Sequence, residues 1–249
     1  MDGIGSTPDL RPLPPGTVDA IIITHAHQDH IGSLPVVTRQ EQRCPVFMTP
    51  ATAAIATIML HNSVNVMMRQ REELGLMEYP LYTHRSVDLC AQSWVHCGLR
   101  QRYNLTGERS ENDDEVTFEF YNAGHILGSV GVLIRHKGKS LFYTGDVNFE
   151  NQTLMTGAEF PEGGVDYLIM ETTRGDSPVP VGFTRAGEEE RFAKAVKEVI
   201  SSGGSLTIPV FALGKSQELL AMLWKMRLQV LKTENMVWHL VLVLQLLMP

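Results

Sequence analysis

The stretch THAHQDHIGSLP, residues 24–35, constrains this chain more than any other part of its sequence. It places His25, His27, Asp29 and His30 within six positions, although the whole chain of 249 residues has only nine histidines. Neutral imidazole and carboxylate groups are the ligands that Zn²⁺ and related divalent metals prefer in proteins. The stretch therefore predicts a metal site, and the competing interpretation is a solvated polar loop.

The residues before this stretch predict where the fold presents it. Residues 18–23 are apolar except for Asp19, which is typical of a buried strand. The histidines follow directly, at the carboxyl end of that strand, which is where open α/β sheets bind their ligands. We therefore expect the cluster to lie in a loop at one edge of a sheet.

Two later strands end in polar residues in the same way. Residues 116–121 alternate like a half-buried strand and lead to NAGHILGS with His125, and residues 141–144 lead to GDVN with Asp146. Glycine lets the backbone approach such a cluster closely. Glycines accompany all three groups, namely Gly32, Gly124, Gly128 and Gly145. We expect the three strand ends to supply one site together.

The spacing of these residues suggests two sets of metal ligands. The first set is His25, His27, His125 and Asp146, and the second is Asp29, His30 and the shared carboxylate of Asp146. Two ions about 3.5–4 Å apart can clamp a transferring phosphoryl group. Neutral histidines leave the local charge positive when two divalent ions are bound, and a positive site suits phosphodiesters.

Composition excludes several other functional classes. The hydrophobic content of 43% and the charged content of 20% are typical of a globular protein. A net charge of −7 argues against a broad basic surface that holds nucleic acid by charge alone. Cys44, Cys90 and Cys97 are odd in number and form no CxxC, which favours a reducing cytoplasm. The longest apolar run is too short to span a bilayer, so we expect no membrane association.

Periodicity predicts the remaining elements. A long helix follows Pro50 and ends near Gly75, and Lys137-Gly138-Lys139 marks a hairpin. VDYLIMETT is predicted to be a buried strand, RAGEEERFAKAVKEVISSGG an amphipathic helix, and SLTIPVFALGKSQELLAMLWKM a strand, a turn and a helix. The order of these elements predicts a layered α/β sandwich followed by an inserted α/β unit.

On these motifs the chain resembles a known family. THAHQDH, His125 in AGHILGS and Asp146 in TGDVN are similar to the motifs of the metallo-β-lactamase superfamily. MDGIG resembles the first motif of that superfamily, with Asp2 as its aspartate. IMETTRGD, which contains Glu171, and IPVFALGKSQELL resemble motifs of the β-CASP subfamily of nucleic-acid nucleases, such as ribonuclease J and the mRNA 3′-end-processing endonucleases.

The resemblance implies a fold and an activity. The fold is α/β, with a metallo-β-lactamase αββα sandwich over residues 1–172, lacking its first strands, and the start of an inserted β-CASP α/β domain over residues 173–249. The activity is zinc-dependent cleavage of RNA phosphodiester bonds, with two zinc ions (or manganese) and single-stranded RNA as substrate. Asp29 would orient the attacking water, and Glu171 would act near Asp146 and His30. A homodimer or a processing complex in the cytoplasm is expected.

The chain also departs from the family pattern, and two alternatives stay open. Arg174 stands where an aromatic residue is common, and Lys215 stands where arginine is common. The sequence after Arg227 no longer resembles the family, whose remaining metal histidine lies further on and is not replaced by His239. We therefore expect a fragment. The alternatives are a small-molecule hydrolase of the same fold, such as a lactonase, and a catalytically inactive RNA-binding β-CASP subunit.

Overall fold

The computed structural model of the chain describes residues 8–230, which form two compact units. Unit 1 comprises residues 8–151 and Met155–Glu171, and unit 2 comprises Gln152–Leu154 and residues 172–230. The predicted motif around Asp2 and the C-terminal stretch with His239 lie outside the described residues.

Unit 1 contains two sheets among the described residues. The smaller sheet is parallel and consists of β1 (Ile21–Ile22), β2 (Val46–Met48) and β3 (Trp94–His96), in that order. The larger sheet consists, in order, of β4 (Arg102–Asn104), β5 (Thr117–Asn122), β6 (Val130–His136), β7 (Lys139–Tyr143) and β8 (Tyr167–Ile169). It is antiparallel except between β7 and β8.

The main core lies between the two sheets. Phe47 on β2 packs against Phe118 on β5, with ring centroids 4.7 Å apart, and Phe120 joins the same cluster. Because side chains alternate across a strand, Tyr121 points to the opposite face of the larger sheet, where it packs with Phe142. Aromatic pairs of this kind contribute about 1 kcal/mol each beyond the area that they bury. The β5 strand is thus buried on both faces rather than on one.

Four helices of unit 1 and two of unit 2 complete the described chain. They are α1 (Gln28–Ile31), α2 (Leu34–Gln40), α3 (Pro50–Leu74), α4 (His84–Ala91), α5 (Arg185–Ser201) and α6 (Lys215–Val230). The predicted long helix is confirmed as α3, which is capped by Thr49 and ends at Gly75 in the left-handed conformation. The predicted hairpin is confirmed as the β6–β7 pair, closed by Lys137 and Gly138 at positive φ.

Helix α3 is, within residues 8–230, the one helix long and apolar enough to cross a membrane by length and composition. The core helices of globular proteins pass the same test. One face of α3 is buried inside unit 1, through residues that include Ala56, Leu60 and Val64.

Three predicted strands differ from the structure. The first is shorter than predicted, because only Ile21–Ile22 of residues 18–23 pair as β1. The prediction of a buried strand in VDYLIMETT is wrong about burial, since Tyr167, Leu168 and Ile169 are 50–60% exposed. Within residues 8–230, β8 pairs with β7 alone and lies at the edge of its sheet. Residues 204–209 carry no regular structure, so the strand predicted before α6 does not form in the described chain; a strand requires a partner for its backbone hydrogen bonds.

A buried carboxylate holds unit 2 together. Glu218 on α6 is 7% exposed and accepts hydrogen bonds from the backbone N–H groups of Thr153 and Leu154, at 2.6 and 3.0 Å. The guanidinium of Arg185 donates to the same carboxylate and also to Glu189. Burial raises the pKa of Glu218, but the hydrogen bonds from Thr153, Arg185 and Leu154 outweigh it and hold the pKa below its ordinary value.

Replacing this carboxylate should destabilise unit 2 in a pH-dependent way. We expect Glu218→Gln to lower the free energy of opening of α6 by about 2 kcal/mol at pH 7, because charge-assisted hydrogen bonds are lost. Since the folded pKa is depressed, the contribution of Glu218 is complete above its unfolded pKa of about 4.3 and disappears as the pH falls through the folded value. Amide hydrogen exchange of α6 measures the difference. Glu198→Gln is the control, because Glu198 is exposed and lies 3.9 Å from Lys194; equal losses in both variants would contradict this account.

Candidate metal centre

Three strand ends of unit 1 converge at one place. Residues 23–27 follow β1 without regular secondary structure and carry His25 and His27, after which the short helix α1 carries Asp29 and His30. The loop after β5 carries His125, and the turn after β7 carries Asp146. All six residues predicted from the sequence to ligate metal therefore lie in loops or first turns at strand ends.

Four of these residues form a tight group of potential metal ligands. Each of His25, His27, His125 and Asp146 offers one ligand atom, and these four atoms lie within 4.8 Å of one another. Nδ1 of His27 is 3.1 Å from Nε2 of His25 and 3.0 Å from Nε2 of His125. Oδ2 of Asp146 lies 3.6 and 3.4 Å from the same two Nε2 atoms.

These separations suit a four-coordinate divalent metal. Ligand atoms in a tetrahedron with bonds of 2.0–2.1 Å are about 3.3 Å apart. The observed separations of 3.0–3.6 Å scatter around that value. Three imidazole nitrogens and one carboxylate oxygen are also a donor set that such metals accept. The group therefore fits a divalent metal ion both in its geometry and in its chemistry.

The remaining two predicted ligands lie beside this group. Nε2 of His30 is 3.3 Å from Oδ1 of Asp146 and 3.5 Å from Oδ2 of Asp29. Asp146 thus turns one oxygen toward the first group and the other toward His30, as a bridging carboxylate does. The side chain of Asp29 is 77% exposed, and among the described residues only the first four ligand atoms come together tightly enough to form a complete group.

The most buried ligand is held in its neutral form. His25 is fully buried, and its Nδ1 lies 3.1 Å from the hydroxyl of Thr24. Burial, followed by repulsion from His30, His27 and His125, lowers the pKa of His25 to about 2. Metal binding requires the neutral imidazole with a free lone pair, and a hydrogen bond at the other ring nitrogen fixes which nitrogen faces the metal.

The loop of His125 is anchored by hydroxyl groups that the sequence patterns did not reveal. The hydroxyl oxygen of Ser129 accepts hydrogen bonds from the backbone N–H groups of His125 and Ile126, both at 3.1 Å. The hydroxyl groups of Thr49 and Thr52, at the start of α3, each lie 2.9 Å from the carbonyl oxygen of Gly128. From sequence, a threonine at the start of a helix is predicted only to cap that helix. Its additional contact with the loop of His125 is apparent only in the structure.

Glu171 contacts the turn that carries Asp146. Its Oε1 accepts a hydrogen bond from the backbone N–H of Val147 at 2.7 Å, and its own N–H lies 3.4 Å from the hydroxyl of Thr144. The side chain is partly buried. The structure therefore places Glu171 against the backbone of the turn that carries Asp146.

The other histidines of the described chain lie away from this group. His61 on α3 and His84 on α4 bond to each other through their Nδ1 atoms at 2.8 Å, a contact that the sequence did not suggest. His96 is exposed on β3, and His136 ends β6. Lys215, which stands where arginine is common in the family, is the first residue of α6 in unit 2.

The ring of His25 should resist protonation in the metal-free chain. Because its folded pKa is lowered, the unfolded chain takes up a proton below about pH 6.5 that the folded chain does not. The contribution of His25 to stability is therefore complete above that pH and decreases as the pH falls towards the folded value. We expect the ring resonances of His25 to stay constant between pH 8 and 5 in NMR spectra of the metal-free protein. A titration midpoint between pH 6 and 7 would refute this.

Comparisons with known proteins identify the family. Residues 12–173 match the model of the metallo-β-lactamase superfamily domain. The chain is 32% identical over 220 residues to an RNase J-like protein of Methanocaldococcus jannaschii, covering 87% of this chain and 46% of that protein. It is 33% identical to endoribonuclease YSH1 of Gibberella zeae, covering 89% and 25%, and 31% identical to Integrator complex subunit 11 of Danio rerio, covering 83% and 32%.

These relatives confirm the resemblance to RNA-processing nucleases of the β-CASP type. The chain spans less than half the length of each of them. The matched segment contains all six predicted metal ligands and Glu171, and the predicted fold class is confirmed by the mixed sheets and helices of unit 1. The chain belongs to the metallo-β-lactamase superfamily.

Proposed function

We propose that this chain carries the metal centre of a zinc-dependent nuclease that cleaves RNA phosphodiester bonds. The observation that carries the proposal is the position of Asp146, which turns one oxygen toward His25 and His125 and the other toward His30. A carboxylate in this position suits a pair of metal ions rather than a single one. Hydrolysis of phosphodiesters is a reaction for which paired ions are well suited.

We assign the first ion to His25, His27, His125 and Asp146, and the second to Asp29, His30 and the other oxygen of Asp146. Zinc suits the imidazole-rich first group, and manganese suits the carboxylates of the second. When bound, such ions supply a nucleophile at neutral pH and neutralise the charge that develops on a transferring phosphoryl group. The protein holds the ligands in place, and the neutral form of His25 keeps a lone pair available for binding.

Two carboxylates are proposed to act on the reaction in different ways. Asp29 is exposed next to His30, so its free oxygen can accept a hydrogen bond from the attacking water and orient it toward phosphorus. Glu171 holds the backbone of Val147 and thereby fixes the turn that presents Asp146. Asp29 would therefore act at the reacting atoms, whereas Glu171 is a positioning residue.

The names of the relatives support RNA as the substrate. The three relatives are named as an RNase J-like protein, an endoribonuclease and a subunit of the Integrator complex. Each is similar to this chain over more than four fifths of its length. We extend this to single-stranded RNA, cleaved by a homodimer or within a processing complex.

We assign residues 1–172 to the metallo-β-lactamase domain and residues 173–249 to the beginning of a β-CASP domain. Three cysteines that are free and buried agree with a cytoplasmic location.

Two other functions make different predictions. A small-molecule hydrolase of the same fold would bind metal but leave RNA intact. An inactive RNA-binding subunit would bind RNA without retaining metal. The four converging ligand atoms argue against the second alternative, because an inactive subunit has no need to keep them.

Removing a central ligand should abolish metal binding and cleavage together. We expect the reconstituted protein to hold about two zinc or manganese ions per chain by elemental analysis, and His27→Ala to lose most of the metal and of the RNA cleavage. His27 contributes the ring nitrogen that lies closest to both other histidines of the first group. His96→Ala, which alters an exposed histidine on β3, should behave like the parent. Metal content near zero in the reconstituted parent would exclude the proposed centre.

Neutralising Glu171 should separate binding from cleavage. We expect Glu171→Gln to keep most of the metal and to cleave single-stranded RNA about ten- to a hundredfold more slowly, because a group behind the ligands orients them more than it binds. The amide oxygen of the glutamine can still accept a hydrogen bond from the N–H of Val147, but it lacks the negative charge that strengthens this bond. Cleavage of RNA at the parent rate would contradict the positioning role of Glu171 and leave it only a structural role in the turn.

A further inference from the structure

Two ligands of the centre arrive on separate loops that must be held at a fixed distance. His125 belongs to the loop between β5 and β6, and Asp146 belongs to the turn after β7. Nε2 of His125 and Oδ2 of Asp146 are 3.4 Å apart. A shift of about 1 Å between the loops would move one of the two atoms out of bonding distance to a shared ion, since metal–ligand distances are fixed to within about 0.2 Å.

The backbones of these loops are in direct contact. The N–H of Asn148, two residues after Asp146, donates to the carbonyl oxygen of Ala123 at 2.9 Å. Gly124 has a positive φ of 66°, and a Cβ atom at that position would lie 2.6 Å from the carbonyl oxygen of Asn148. Only glycine permits so close an approach. Gly124, which precedes His125, therefore packs directly against the chain that follows Asp146.

The side chain of Asn122, at the end of β5, links the His125 loop to the segment that follows the Asp146 turn. Its amide nitrogen donates to the carbonyl oxygen of Gly157 at 3.0 Å and also lies 3.1 Å from the hydroxyl and 3.3 Å from the carbonyl oxygen of Thr156. Its Oδ1 accepts from the N–H of Gly124 at 3.2 Å. The segment that Asn122 grips continues to Ala158, whose N–H donates to the carbonyl oxygen of Asn148 at 2.8 Å.

We propose that Asn122 is a positioning residue that sets the distance between His125 and Asp146 and so shapes the first metal site. The inference rests on the proposed metal centre and adds to it a residue that touches neither the metal nor the substrate. An amide is needed because it combines an acceptor for the His125 loop with donors for the segment after Asp146. A carboxylate would set negative oxygens against the carbonyl groups of Thr156 and Gly157, and an alkyl group would make none of these bonds.

The test compares Zn²⁺ affinity and Co²⁺ spectra of the full chain and its variants. Asn122→Ser is the main variant, because a serine hydroxyl can still accept from the N–H two residues on but is too short to reach residues 156–157. We expect its Zn²⁺ affinity, measured by competition with a chelator, to fall about ten- to a hundredfold. The visible absorption of bound Co²⁺ should change in intensity and position, because the coordination geometry changes. Asn122→Ala should give the same result.

A matched control separates positioning from general loop stability. Asn151 also contacts this segment, since its Oδ1 accepts a hydrogen bond from the N–H of Gly157 at 2.9 Å, but that bond stays within the segment after Asp146. Asn151→Ala should therefore keep the parent Zn²⁺ affinity and Co²⁺ spectrum. Parent-like values in Asn122→Ser, or equal losses in Asn151→Ala, would overturn the role of Asn122 and leave the metal centre standing. A parent chain that binds neither Zn²⁺ nor Co²⁺ would overturn the centre and this inference together.

Discussion

The carboxylate of Asp146 is the group on which the rest of the centre depends. Its two oxygens lie 3.3 Å from His30 and 3.4 Å from His125, so one side chain determines where both groups of ligands meet. Gly145 makes this possible, because it turns the chain at a φ of 56° and passes so close to Thr24 that a Cβ atom would lie 2.9 Å from the Cβ of that residue. The parallel pairing of β7 with β8 then brings Glu171 to the N–H of Val147. The turn, the neighbouring strand and the first ligand loop thus constrain one another.

The sequence could predict the family and the candidate ligands because both are encoded locally. Four ligands fall within six residues, and His125 and Asp146 follow strands in the same format, so the rule that ligands gather at strand ends was sufficient. The contacts of Asn122, Thr49 and Ser129 were not predictable in this way. Asn122 bonds to residues 34 and 35 positions away, and Thr49 contacts a carbonyl group 79 positions away. Asparagine, threonine and serine are common in turns and caps, so nothing in the local pattern distinguishes these three.

Two of the three departures from the predicted strands have a common physical origin. An apolar run predicts that a segment prefers burial, but the neighbours of the segment decide whether burial occurs. Residues 167–169 form a strand and pair with β7, as their sequence predicts, yet they remain exposed at the sheet edge. Residues 204–209 have a strand-like sequence and carry no regular structure in the described chain. The long helix α3 and the hairpin at Lys137 and Gly138 were predicted correctly because caps, glycine and turn geometry act within a few residues.

The electrostatics of the centre explain why folding and metal binding should be coupled. The rings of His27, His30 and His125 crowd around the buried ring of His25 and, together with its burial, lower the pKa of His25 to about 2. His25 therefore stays neutral in the folded chain, and folding below about pH 6.5 costs free energy because the unfolded chain can protonate that ring. Neutral rings instead direct lone pairs at one point, which a cation satisfies without repulsion. An ion that binds only the folded chain stabilises it by an amount that grows with the logarithm of ion concentration over the dissociation constant. A buried ring at His25 that is unfavourable for a proton thus becomes favourable for the fold once a divalent metal occupies the centre, and the acidity of the chain as a whole, with its net charge of −7, does not oppose that binding.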